Sequence, residues 1–460
     1  MKGLVVVLLL FLTGRTAAQD FTHLYQDSAD LQVAMHLLKD SSGGFWLGGY
    51  RVPSGQNTRA WMAKVDNDGN IIRRFDFPGE ETQIWAGMVF TENGMAVVIG
   101  LQQFTGETRY FLASIRNDSL HSWRNLPALE NAVLHDSRPA AGNRLLISGF
   151  KGSPGIAGND FFLARINTDS AKTDWLYYEE FGPNDLISTC RELPDKSVLF
   201  CGTVAEQGNY NPCMGKLDSA GQLRWLRVLT TPWNDGSQKF ELESNGDIWL
   251  VGESSTSAGP EFDTELFRLD SAGNLLWAQW IGSPGQDAAF HIQKKLYSPG
   301  FWVAGYSNAT QSGTGPISPF LMSLDAEGNS LGESFWPMPA PSPVYDMQVI
   351  GDSVFYFCGT SQNAAFLLRR KNPVLAPVFV VSNKEFSFTE SSRESLEFFM
   401  DALRKGQVAE WFAVDLLGRK TKPEMTGNRI LLPYGQNPFR ICWTSRIGRR
   451  ITTTAIIRFD

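Results

Sequence analysis

The chain has 460 residues, of which 19% are charged. Its formal net charge of −7 comes with no basic block, which excludes an electrostatic footprint for nucleic acid or anionic lipid. Aromatic residues make up 12% and glycine occurs 43 times, a composition of short strands and tight turns rather than of long helices or disorder. Five cysteines leave at least one unpaired and are too few for the disulfide framework of a small exported domain.

The first residues read as an export signal spanning 1–18. Lys2 supplies the positive start, Leu4 to Leu12 the apolar run and Thr16-Ala17-Ala18 a small-residue cleavage site, so the mature chain is expected to begin at Gln19 or Asp20. The apolar run is too short to span a bilayer and no later stretch is long enough, which predicts an exported chain without a transmembrane segment.

From residue 19 to 376 one phrase recurs seven times: an apolar strand ending in glycine, a variable loop, a second strand, a turn and a further strand. Its glycines are Gly49, Gly100, Gly149, Gly202, Gly252, Gly305 and Gly359, spaced 49 to 54 residues apart. Repeats of that length, each with four short strands, predict an all-β fold, a seven-bladed β-propeller. The fifth repeat shows the pattern in Phe240–Leu242, Ile248–Gly252, Glu265–Asp270 and Leu275–Trp280. Its last two strands are joined by Asp270-Ser271-Ala272-Gly273, where aspartate can accept from backbone beyond it and glycine can take a positive φ. The same turn begins at Asp66, Asp218 and Asp325, and a tryptophan follows a turn of this kind at Trp123, Trp175, Trp225 and Trp277, suited to covering the contact between blades.

Six repeats carry four strands. The seventh has no good fourth strand after Arg369, whereas the mature chain opens with the strand-like Phe21-Thr22-His23-Leu24-Tyr25. That N-terminal strand is expected to fill the outer edge of the last blade, locking first repeat to last and removing an exposed edge. Cys190 and Cys201 lie on either side of the turn Pro194-Asp195-Lys196, where an oxidised cross-strand bond is conceivable if they face each other; Cys201 also holds a position filled by small core residues in other repeats.

Past residue 377 the glycine spacing ends and a separate small β-sandwich is expected. Here Phe412-Ala413-Val414-Asp415-Leu416-Leu417-Gly418-Arg419-Lys420, Asn428–Leu432 and Pro438–Ile441 resemble the C-terminal sorting domain of proteins exported by the type IX secretion system. The resemblance implies recognition of residues 377–460 by that secretion machinery and delivery outside the cell or to its surface.

No nucleophile elbow, zinc-protease motif or phosphate loop occurs, and the five histidines show no ligand spacing. The turn phrase Leu217–Trp225 is similar to repeats of quinone-dependent dehydrogenase propellers, but those enzymes carry adjacent cysteines and this chain has none. One recurrence bears on function: Asp30, Glu81, Asn131, Asp185, Asp235 and Asp287 each lie 17 to 19 positions before a repeat glycine, on the links between blades. They predict an acidic rim at one mouth of the ring, suited to sugar hydroxyls or a cation, or else carboxylates that fix the crossovers by bonding to local backbone; no cofactor is expected. Trp233, Tyr210 and Phe104 add aromatic surface on that face. The sequence thus points to a binding or adhesion module for glycan or protein. Its alternatives are a polysaccharide hydrolase or lyase using Asp185, Asp235 or Asp287, and a structural scaffold in a surface assembly.

Overall fold

A computed structural model describes residues 20–371, apart from short stretches within loops that include 153–157, 256–261 and 309–315, together with six strands between residues 408 and 453. The export signal and the Asp415–Arg419 turn lie outside the described residues.

Twenty-eight strands form seven four-stranded antiparallel sheets. Blade 5 is typical, running from the axis outward through Asn234–Leu242, Ile248–Ser255, Asp263–Leu269 and Leu275–Ile281. Blade 7 takes three strands from the end of the ring, Val344–Ile350, Val354–Ser361 and Ala364–Lys371. Its outer strand is Phe21–Tyr25, paired antiparallel with Phe21 opposite Arg369 and Tyr25 opposite Ala365. The expected closure by the N-terminal strand is therefore the one found.

An isolated blade would leave two apolar faces in water, so the core lies between blades. The contact between blades 7 and 1 is built like the others: Ala34, Leu37, Phe45 and Leu47 pack on Tyr356, Cys358 and Leu367, all buried. A backbone bond marks the closure as equivalent to the other joints. Gln83 N–H donates to Thr58, Asp185 to Asn159, Asp287 to Phe262 and Ser342 to Ile317, each across one blade boundary at 2.7 Å, and Gln32 donates to Asn363 at the same distance.

The outer rim repeats a second device. In the Asp-x-x-Gly turns, Asp66, Asp218, Asp270 and Asp325 each accept backbone N–H bonds from two and four residues ahead, at 2.8–2.9 Å for Asp66 and Asp270. Glycine follows at φ of 82–90° in all four. The preceding blade's outer strand lays an aromatic ring over that glycine: Trp175 over Gly221, Trp225 over Gly273 and Trp277 over Gly328, where a Cβ would have no room. At the closure, Phe21 and His23 cover Gly69 in the same way, and Tyr25 Oη donates to the Gly69 carbonyl at 2.6 Å.

Every innermost strand contains one bulge, at Met35, Ala86, His135, Ser188, Gln238, Phe290 and Tyr345. These bulges explain the repeat glycines. The inner-strand carbonyl two residues ahead of the bulge is turned onto the second strand, and a Cβ on any of the seven glycines would lie closer than 3.0 Å to it.

The turn of blade 4 decides the cysteines. From Glu192 opposite Val198 the register runs unbroken to Cys190 opposite Phe200 and Thr189 opposite Cys201, so the two thiols are offset by one residue and do not face each other. Both are free and buried, as are Cys213 and Cys358, and burial pushes the Cys201 thiol up to about 12.

Residues 408–453 contribute a four-stranded antiparallel sheet of Lys420–Thr421, Val408–Val414, Arg440–Ser445 and Arg450–Thr453, and a separate pairing of Glu424–Thr426 with Arg429–Leu431. No helix among the described residues is long and apolar enough to cross a membrane.

Candidate functional site: the crossover face and the channel

Asp185, Asp235 and Asp287 occupy equivalent places where a crossover enters an innermost strand, and all three are buried. Asp185 accepts backbone N–H bonds from Phe181, Gly182 and Ala205 at 2.8–3.1 Å. Asp235 accepts from Ser254 Oγ at 2.5 Å and from the Thr231 hydroxyl. Burial raises the pKa of both carboxyls in spite of these donors. Such bonds hold Asp185 to backbone and Asp235 to neighbouring hydroxyls at the crossover.

Asp30 and Glu81 do not belong to the same register. The places equivalent to Asp185 in blades 1 and 2 are held by Gln32 and Gln83, two residues further on, which make the matching 2.7 Å backbone bonds and are likewise buried. Asp30 instead accepts from the Ser54 N–H at 3.1 Å, and Glu81 accepts from Gln102 Nε2 at 3.4 Å. Asn131 lies outside the described residues. Blade 7 has the buried Ser342 at this place, bonded to Ser361 at 2.7 Å. Gln32 and Gln83 stand 17 residues before Gly49 and Gly100, as Asp185, Asp235 and Ser342 stand before their glycines, whereas Asp30 and Glu81 stand 19 before. No three His, Cys, Asp or Glu side chains among the described residues are grouped to hold a metal ion.

On the same face, blades 3 to 5 carry exposed aromatic side chains at successive crossovers: Tyr178, Phe181, Tyr210 and Trp233. Tyr178 ends an outer strand and is fixed by a bond from its hydroxyl to Asp160, with the Lys151 ammonium 5.5 Å from its ring centre. Tyr210 and Trp233 flank one joint, where Tyr210 N–H donates to Asn234 Oδ1 at 3.1 Å and Asn209 Nδ2 to the Thr231 carbonyl at 2.9 Å. Phe104 is half-buried under the Arg109 guanidinium at 4.7 Å. Of the loops between second and third strands, Val52–Arg59 lies within the described residues, whereas 153–157, 256–261 and 309–315 lie outside them.

The channel holds what sequence reasoning missed. The residues that follow the seven bulges are His36, Gly87, Asp136, Thr189, Lys239, His291 and Asp346, one level of the lumen made almost entirely of polar groups. Gly87 has no side chain, and Ser137 of blade 3 fills the space its Cβ would need. Across that gap His36 Nε2 faces Asp136 Oδ1 at 3.7 Å, while His36 Nδ1 accepts from Trp85 Nε1 at 2.8 Å, which places the ring proton on the side of the aspartate. Asp136 also accepts from Arg138 Nε at 2.8 Å, Thr189 Oγ1 at 2.5 Å and the Ser137 N–H at 2.9 Å. Asp346 accepts from the Leu37 N–H at 3.0 Å and the Met347 N–H at 2.9 Å, with His291 Nδ1 3.1 Å away.

These donors and cations hold the carboxyls of Asp136 and Asp346 well below the usual carboxylate range against the opposing effect of burial. The Lys239 ammonium is pushed down by burial and by Arg138, and pulled up by Asp136 and Asp346. The belt ties neighbouring innermost strands together, so it is structural first. A signal for it existed in the polar residues at matched places, but only the bulge register shows that they share a level.

Fold and site together define the class: a closed seven-bladed β-propeller with a polar-belted channel and an aromatic crossover face. No protein-family model matches the chain, and no curated protein matches it. Among solved structures, the chain is similar to the WD40 domain of Neurospora crassa Pan2, at 11% identity and a TM-score of 0.47, covering 74% of this chain and 90% of that one. It is also similar to Sqt1 from Chaetomium thermophilum, at 11% identity and a TM-score of 0.46, covering 76% and 97%. TolB from Acinetobacter baumannii gives 10% identity and 0.36, covering 72% and 64%. Strand order and closure define the fold independently of these likenesses.

Proposed function

We propose that this propeller is an exported binding module that engages a glycan or a surface protein on its crossover face. The observation that carries the reading is the exposure of Tyr178, Phe181, Tyr210 and Trp233 at successive joints of blades 3 to 5. Aromatic faces held on a rigid ring stack on sugar rings or apolar peptide groups at little entropic cost, and the amides of Asn209 and Asn234 beside them offer hydrogen bonds at the edge. The buried carboxylates at Asp185, Asp235 and Asp287 act in this reading by fixing the crossovers that present the aromatics. Export is supported by Lys2 with the Leu4–Leu12 run, and delivery to the surface by the sorting-domain resemblance at 412–441.

Glycan and surface-protein arrays probed with the purified chain and with Trp233→Ala and Tyr210→Ala test it. A ligand retained by wild type and lost by both variants supports the proposal. Binding that neither substitution changes removes the crossover face as the site.

A further inference from the structure

We propose that the waist of the channel is a second binding site, for a small oxyanion, a carboxylate or a phosphate, held between Lys239 and Arg138. Donors and acceptors do not balance at this level of the channel. Asp136 and Asp346 are the acceptors of the belt, and each has three or more donors within reach, as described above. The cations are in the opposite condition. Arg138 commits only its Nε, to Asp136 Oδ2 and Thr189 Oγ1, and its two terminal nitrogens have no hydrogen bond among the described residues. Lys239 Nζ has neither a hydrogen bond nor an ion pair among them. None of these three nitrogens is sealed from solvent, since none is among the buried atoms without partners.

Lys239 also sits near the axis. It follows the bulge of blade 5, at the level of Asp136, Thr189, His291 and Asp346, and Arg138 Nε is bonded to Asp136 and Thr189 of that same level. Two cations that repel each other, each with spare N–H donors and with every nearby carboxylate already engaged, form a site for a ligand that brings acceptors and negative charge. The open edge of the guanidinium favours a forked oxyanion over a spherical halide.

Thermal unfolding and calorimetric titration of the full chain test this, with inorganic phosphate, glucuronate and chloride as probes at constant ionic strength. A saturable rise in Tm with phosphate or glucuronate and not with chloride is expected, and the more effective of the two tells phosphate from carboxylate. Lys239→Gln should weaken that binding at least about tenfold, the worth of a lost charge-assisted bond, in a chain that still folds, because the ammonium makes no hydrogen bond among the described residues. Lys239→Arg should keep the response. Equal shifts with all three probes, no shift with any, or an unchanged response in Lys239→Gln would each overturn the proposal. So would a Lys239→Gln chain that does not fold, since that would make the ammonium a structural tie.

Discussion

Glu265 offers a sharp test of how this fold is held together. In six blades the residue opposite the repeat glycine is Trp61, Phe111, Phe162, Cys213, Phe320 or Phe366, five of them rings laid over a bare backbone. Blade 5 has Glu265 opposite Gly252, fully buried, and neither carboxyl oxygen has a partner among the described residues. Burial, with the charges of Asp235 and Glu253 in addition, raises its pKa well above 4.5, so the folded protein holds it as the neutral acid. An unsatisfied buried polar group costs about 1–3 kcal/mol, and Glu265→Met replaces it with an apolar chain of similar length that adapts to the space.

Because the folded pKa lies above the unfolded one, the native state binds the extra proton. The stability linked to this group is therefore complete below the unfolded value and declines as pH rises, by about 1.4 kcal/mol per pH unit while the folded group keeps its proton. Denaturant unfolding of wild type and Glu265→Met at pH 5, 6 and 7 should show the variant more stable by about 2 kcal/mol at pH 5, with a gap that widens upward. A gap that stays constant with pH, or a variant less stable than wild type, would refute the account of Glu265 as a neutral, unpartnered acid.

Other outcomes follow from the same geometry. Gly305→Ala puts a methyl group onto the Ala288 carbonyl, closer than 3.0 Å, and should cost about 2–3 kcal/mol, whereas Gly94→Ala, with open space but a φ of 73°, should cost about 1 kcal/mol; unfolding midpoints compare them. Tyr25→Phe removes the bond to the Gly69 carbonyl that ties blade 7 to blade 1 and should cost about 1 kcal/mol, while deleting residues 20–26 bares the edge of Ala364–Lys371 and should yield an aggregating chain by light scattering. Cys190, Cys201, Cys213 and Cys358 should resist thiol reagents in the native protein and react once it is unfolded; fast native labelling of more than the one remaining cysteine, Cys442, would contradict their burial.

The seven glycines, the Asp-x-x-Gly turns and the missing fourth strand at Arg369 made the blade count and the closure readable in one dimension, because each is a local requirement of backbone geometry repeated at a fixed interval. Other features depended on register. The turn of blade 4 set Cys190 opposite Phe200 and not Cys201, Gln32 and Gln83 took the places that counting had assigned to Asp30 and Glu81, and one bulge per inner strand aligned His36, Asp136, Lys239, His291 and Asp346 at one level of the channel.

Local chemistry written in the chain therefore determined that it would turn, repeat and close. Which polar residues meet was decided by the assembled ring, because groups some 50 to 300 positions apart meet only when the last blade accepts the first strand.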